Sequence, residues 1–451
     1  MIGPIGLRPA TRAWASAPGP GVVPLPELRG TLSTADADLI AVAGDFGNRI
    51  HHRPLAVVRP ADAADVAAVV RFGDVCGIPV VPRGAGKSVD GQAQAPDGIV
   101  LDLTSLATVG PVAGDRVTAA AGARWSAVVS TTLAHRLMPP VLPDYLELSV
   151  GGTLSAGGFG GTSHRYGSQA DHVDALDVVT PDGSLTRCSP TRNTALFDAV
   201  RGSQGRYGVI VRATLALTRA PALARVHRLV YRDLGVFLAD QRRLIGDGRF
   251  GHVLGQAFPG VLPGSGDGEW AFVLEAMTAF DPPHPPDDGA LLGDLAYEPG
   301  TAESATTPLA EFLHRLAPLE ERLRAAGSWQ SDPHPRRTVL LPGRHAERVV
   351  AATLRRLTAA GLGTGGSVLL YPVPTGRIGA PGVPVARDPI TVVFGLQRTA
   401  PPGERAVLDA MLRGNADLLA EAERLGGAGY AGPPARRPAR STAPSGEAGP
   451  R

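Results

Sequence analysis

The chain has 451 residues, enough for two or three domains with a substantial core, and 43% of them are hydrophobic against 19% charged, which excludes a disordered protein. Forty-four Lys and Arg residues balance 42 Asp and Glu for a formal net charge of +2, so charge gives no reason to expect a nucleic-acid or membrane-surface partner. Lysine is almost absent, and arginine carries the positive charge.

Residues 1–35 are rich in Pro and Gly and read as an irregular leader. No signal peptide is evident: the stretch lacks a continuous apolar core, and no run elsewhere approaches a membrane span. A cytoplasmic location is therefore the default expectation. Asp36–Val42 has helical character. Leu55–Val58 reads as a strand, and Asp62 is a good N-cap for a helix whose stripe is Val66, Val69 and Val70. Ile78–Val81 is a second strand, followed by the glycine-punctuated loop Pro82–Gln92. Strand, helix, strand and glycine loop make a βαβ unit, and such a loop leaves the carboxyl end of its strand, where ligands bind in open sheets.

Strands are expected at Gly98–Leu103 and Arg116–Ala121 and a helix over Trp125–Leu137. The stretch Leu142–Gly167 then dominates the sequence, with seven glycines among residues 151–167 spaced by Leu154 and Phe159. Apolar anchors at that spacing exclude a flexible linker, and glycines at that density let backbone N–H groups approach an anion such as a pyrophosphate. The stretch carries neither a G-x-G-x-x-G at a strand–helix junction nor a G-x-x-x-x-G-K-[ST], which excludes a nicotinamide Rossmann site and a P-loop, and it reads instead as a different nucleotide-binding loop. A strand at Val173–Thr180 and a turn at Pro181–Gly183 lead into Ser184–Cys188. Helix Asn193–Val200 and strand Val209–Leu217 complete a first domain, 36–220.

From Pro221, strand-like runs (Ala224–Tyr231, Trp270–Ala276, Thr338–Leu341, Ser367–Tyr371, Ile390–Leu396) alternate with helical ones (Leu234–Leu244, Ala310–Ala325, Ala346–Ala360, Ala406–Leu425). That pattern reads as a second domain, 221–425, built as an antiparallel sheet with helices. Residues 426–451 have no periodicity and read as a disordered tail. Cys76 and Cys188 have no metal-site spacing and read as two buried thiols.

Three ordered motifs give the protein a family likeness: Arg83–Gln92 (RGAGKSVDGQ), Asp144–Ser155 (DYLELSVGGTLS) and Gly205–Ala213 (GRYGVIVRA). Together they resemble the flavin domain of the cytokinin dehydrogenases, within the vanillyl-alcohol oxidase/p-cresol methylhydroxylase superfamily of FAD-linked oxidoreductases. The resemblance implies an α+β, two-domain fold of the FAD-binding p-cresol methylhydroxylase type, with an antiparallel-sheet-plus-helices cap domain over the substrate. By motif position it implies that Pro82, Gly84, Gly86, Lys87, Ser88 and Gln92 line the flavin and pyrophosphate, with Ser149, Ser155, Phe159 and Ile210 completing the cofactor groove. It also implies that Asp144 is the catalytic base, taking a proton from a small-molecule substrate while a hydride passes to flavin N5, with oxygen or a quinone as final electron acceptor. The substrate class implied is a cytokinin-like N6-substituted adenine oxidised at a C–N bond, or a compound oxidised at a C–OH bond. A sugar, alcohol or specialised-metabolite oxidase on the same scaffold is the alternative, as is a pseudoenzyme.

Two departures stand out. Lys87 occupies the position of the family histidine that bonds the flavin covalently, so the FAD is expected to be held non-covalently. Lys87 would then either bring its ammonium near the flavin or phosphates or remain a solvent-exposed side chain. The region after Leu425 also lacks the Pro-Gly-Gln-type motif with which the family closes its flavin domain.

Overall fold

The computed structural model describes residues 5–260 and 269–431. Two sheets make the first domain. The smaller runs in the order Thr31–Ser33, Ala56–Arg59, Ile99–Asp102, Val80–Arg83, and its last three strands are parallel. The parallel pairing requires a crossover, which helix Ala63–Cys76 supplies. Asp62 caps that helix through Ala64 and Asp65 N–H, and Gly77 ends it at φ +64°. The second sheet is antiparallel, ordered Leu185–Cys188, Val173–Val179, Val209–Ala216, Arg116–Ala120, Val109–Ala113. One apolar core joins the two, with Trp125, Leu154, Leu176 and Ile99 fully enclosed.

The second domain is an eight-stranded antiparallel sheet, in the order Glu303–Pro308, Leu223–Tyr231, Trp270–Phe280, His252–Pro259, Ser367–Pro374, Ile390–Gln397, Arg337–Pro342, Ala428–Gly429. Successive side chains of a strand face opposite ways, and here both faces are buried. Leu341, Leu370, Val392, Phe394 and Leu274 belong to the core shared with helices Leu234–Asp247, Gly343–Leu354 and Arg405–Arg424. Their neighbours Leu340, Tyr371 and Val393 face the first domain, where Phe159 packs against them. Glu275, between Leu274 and Ala276, points the same way as that second set. The α+β, two-domain architecture expected from the sequence is the one observed.

Several boundaries differ from expectation, for identifiable reasons. Residues 6–33 are not an irregular leader: Ala13–Ala15, Gly6–Arg8 and Val23–Pro24 form a small sheet, and Thr31–Ser33 joins the parallel sheet at its edge. Short edge strands of two or three residues leave no periodicity to read. The expected helix 310–325 is two helices, Leu309–Leu313 and Ala317–Ala325, because Pro318 can only begin a helix. The tail expectation fails for its first residues. Ala428–Gly429 adds a strand beside Val339 and Leu340, and Tyr430 sits in the inter-domain cluster. Residues 432–451 lie outside the described residues. Cys76 and Cys188 are buried and free. No helix among the described residues is long and apolar enough to cross a membrane.

Candidate active site

The glycine run 151–167 is not a continuous loop. Val150–Ala156 is a two-turn helix in which Gly151 serves close packing, since a Cβ there would lie 2.7 Å from the Ala121 Cβ. Positive φ begins only where that helix stops, at Gly157 (+105°) and Gly158 (+77°). The second glycine loop meets the start of this helix. A Cβ on Gly84 would come within 2.0 Å of Ser149 Oγ, so only glycine allows the contact, and Gly86 adopts φ +64°. Ser88 Oγ and Gly91 N–H both donate to Asp45 Oδ2, at 2.9 and 2.7 Å. Burial pushes the Asp45 carboxyl up, against those two hydrogen bonds and the charges of Arg83 and Arg49.

The residues implied by the motifs therefore divide. Gly84, Gly86, Lys87, Ser88 and Ser149 come together at the carboxyl end of strand Val80–Arg83, which contains Pro82. Gln92 closes the loop by accepting from Asp90 N–H at 2.9 Å, and its amide donates to Ala431 O at 3.3 Å. Ser155 Oγ is used within its own helix, donating to Gly151 O at 2.7 Å. Ile210 is buried in the central antiparallel sheet opposite Val178. Phe159 lies at the inter-domain cluster, its ring 5.4 Å from that of Tyr430.

Two features fit an anionic flavin dinucleotide. The N–H groups of Gly86, Lys87 and Ser88 donate to no acceptor among the described residues, and successive free N–H groups of this kind form a nest for a phosphate. Gln169 Oε1 is buried without a partner beside Gly158, an acceptor matched to a ring N–H.

Asp144 follows Pro143 at the edge of the cap. Its Oδ1 accepts from Arg315 Nη2 at 2.6 Å, and Arg315 Nε lies 2.8 Å from Glu275 Oε1. His252 Nε2 stands 3.4 Å from the same glutamate oxygen. Burial alone would push the Glu275 carboxyl up, but the proximity of His252 and the charges of Arg315, His252 and Arg228 outweigh it and bring it down to about 2. Asp144 Oδ2 accepts no hydrogen bond from a described residue. Tyr371, enclosed in the cap sheet, is close enough to Asp144 that the carboxylate adds to the effect of burial in raising its phenol.

Beside Asp144 lies an aromatic box. Phe46, Trp329 and Tyr145 place their ring centroids 4.1, 4.3 and 4.9 Å from Lys87 Nζ. Lys87 is thus not the freely solvent-exposed side chain that is one of its two expected states. Tyr145 OH is held by Glu320, which Arg324 grips at 2.6 Å. His334 stacks on Phe46 at 4.2 Å and shares a hydrogen bond with Thr399 Oγ1 at 3.1 Å. The box spans the domain boundary, which Asp90–Arg337 (3.1 Å) and His334 N–H to Gly47 O (2.8 Å) also hold closed.

Each domain contains a segment that matches a known family. Residues 54–189 match the family described as "FAD binding domain", and residues 266–429 match "Cytokinin dehydrogenase 1, FAD and cytokinin binding". The protein is 41% identical over 404 residues to "Uncharacterized oxidoreductase ORF5 in fasciation locus" of Rhodococcoides fascians, covering 90% of each sequence. It is 33% identical over 372 residues to Cytokinin dehydrogenase 9 of Oryza sativa subsp. japonica, covering 75% of this sequence and 71% of that one. The chain belongs to the cytokinin dehydrogenase family. It is therefore an FAD-dependent oxidoreductase, and the two matched segments fall in the two domains described above. With Cytokinin dehydrogenase 4 of Arabidopsis thaliana it shares 32% identity over 384 residues, covering 76% of this sequence and 73% of the relative.

Arg315, Glu275, His252, Tyr371, Trp329 and Tyr430 are not legible in the sequence as parts of this site. Glu275 has a signal: it is the one charged residue in strand Trp270–Phe280. A lone carboxylate in an apolar strand requires a buried partner. The others need the inter-domain packing.

Proposed function

We propose that this enzyme oxidises an N6-substituted adenine at the bond between N6 and the first carbon of its substituent, with Asp144 as the base. When bound, FAD supplies the oxidant that accepts a hydride from the substrate carbon. Gly84, Ser149 and the backbone N–H groups of Gly86, Lys87 and Ser88 would hold its pyrophosphate region, and Gln169 and Phe159 its ring. The single observation that carries the reading is the half-tethered carboxylate. Arg315 holds Asp144 Oδ1 at 2.6 Å, while Oδ2 accepts no hydrogen bond from a described residue, which suits it to accept from a substrate N–H. Glu275 balances the guanidinium, so Arg315 can orient Asp144 without leaving an unpaired buried cation. Tyr371 and the rings of the aromatic box supply apolar surface suited to a purine and a hydrocarbon substituent. Cleavage of the oxidised C–N bond by water gives an amine and an aldehyde.

The cofactor is held without a covalent bond in this reading, because lysine replaces the family's histidine at position 87. Acid precipitation should then move the flavin absorbance into the supernatant, and flavin retained in the pellet rejects non-covalent binding. Asp144→Asn should keep the flavin while slowing its anaerobic bleaching by an N6-isoprenoid adenine by orders of magnitude. Bleaching at the wild-type rate removes Asp144 from the mechanism, and bleaching by alcohols alone moves the enzyme to C–OH chemistry. Reoxidation by oxygen or by an added quinone, followed in the same cuvette, identifies the acceptor.

A further inference from the structure

Of the 44 Lys and Arg residues in this protein, Lys87 is the only lysine. Arginine provides charge, ring stacking and hydrogen bonds wherever the fold needs them. What it does not provide is an amine that can lose its proton and attack a carbon. That one amine stands in the aromatic box, 4.9 Å from the ring of Tyr145, the residue joined to Asp144. Its side chain is half-buried and has no ion-pair partner among the described residues. Glu320, the carboxylate whose charge reaches it, is already held by Arg324 and Tyr145.

We propose that Lys87 is an aldehyde-reactive amine, which takes up the carbonyl product of the oxidation as a Schiff base. The proposal rests on the reading above, in which oxidation ends in an aldehyde. The Nζ lone pair forms a bond to the carbonyl carbon, the carbonyl oxygen leaves as water with both amine protons, and a C=N bond remains. Water reverses the step, and no oxidant or reductant enters it. The three rings supply an apolar wall for the aldehyde's hydrocarbon tail, and a lysine desolvated in such surroundings is the usual form of a Schiff-base nucleophile.

Charges from every side bear on this amine. Burial pulls it down to about 7; Glu320 opposes this, while Arg324, Arg336 and Arg124 reinforce it. His334 and Tyr145 also face it, and the ring faces favour the ammonium. Both forms are therefore populated near neutrality. An exposed lysine of ordinary pKa has about a thousandfold less free amine at pH 7.

The test uses purified holoenzyme with 3-methylbutanal and sodium cyanoborohydride, N-acetyl-lysine in the same tube, and peptide mapping by mass spectrometry. Lys87 should be alkylated at least about tenfold faster than N-acetyl-lysine at pH 7, with the rate rising to a plateau through neutral pH. Lys87→Arg should lose the internal label while the N-terminal amine reacts as before. Should that variant fail to fold, the wild-type rate against N-acetyl-lysine decides alone. Alkylation no faster than N-acetyl-lysine, or a Lys87 peptide recovered with flavin attached, overturns the proposal. The labelling needs no turnover, so it is read separately from whether an N6-substituted adenine bleaches the flavin.

Discussion

Replacing Arg315 by methionine tests the buried charge system around Asp144. Arg315 lies between two carboxylates, and its side chain is 17% exposed against 15% for Glu275 and 23% for Asp144. The Glu275 carboxyl at about 2, against 4.5 for a free glutamate, corresponds to a stabilisation of about 3 kcal/mol. Because this carboxyl is depressed in the folded state, that stabilisation is complete above pH 4.5 and is lost as pH falls through about 2. Removing the cation leaves Glu275 buried with only His252 and the charge of Arg228 to offset it, and breaking a buried ion pair from one side typically costs about 3–5 kcal/mol. Arg315→Met should therefore lose about 3 kcal/mol at pH 7, measured from urea midpoints, and the deficit should narrow at about pH 3 as the orphaned carboxyl takes a proton. Adding Glu275→Gln should restore part of the loss. A deficit below about 1 kcal/mol, or one equal at both pH values, refutes the argument that Arg315 holds these carboxylates in a desolvated site.

Other consequences can be measured separately. Tyr430→Phe removes the hydroxyl that accepts from Gly158 N–H at 3.0 Å, leaving a buried donor unpaired, and should cost about 1–3 kcal/mol of stability by urea denaturation. Truncation after Leu425 removes strand Ala428–Gly429 as well and should lower the melting temperature further than Tyr430→Phe does. Gly84→Ala drives a Cβ into Ser149 Oγ and should weaken FAD binding, read by fluorescence titration, more than Gly84 merely lying in a tolerant loop would allow. Burial, with help from the charge of Arg336, lowers His334 to about 4 from its ordinary 6.5. Its neutral form is the folded one, so stability is full above pH 6.5 and declines as pH falls toward 4; His334→Gln should flatten that slope.

The sequence shows the first domain well because its signals are local. The Asp62 cap, the valine stripe after it and the glycine loop following strand Val80–Arg83 each lie within a few residues of their cause. Asp144 and the Gly84–Ser88 loop are recognisable from ordered motifs. What escapes is carried by pairing across long separations. Arg315 meets Asp144 from 171 residues away, and the strands of residues 6–33 are too short to show alternation. The glycine run reads as loop throughout, yet its first half is helix. Glycine signals either positive φ or close approach, and at Gly151 the cause is contact with Ala121. Lys87 is visible as a departure, but its aromatic box needs Trp329 from the other domain.

The hydrogen bond from Gly158 to Tyr430 also sets a clock on biosynthesis. The two residues are 272 positions apart. A ribosome adding about 5–20 residues per second takes roughly 14–54 s to travel that distance. Throughout that interval the residues of the parallel sheet and the glycine loop have been made, but not the hydroxyl that accepts from Gly158 or the strand that finishes the cap sheet. The contact that joins the glycine run to the cap is thus completed only by almost the last described residues.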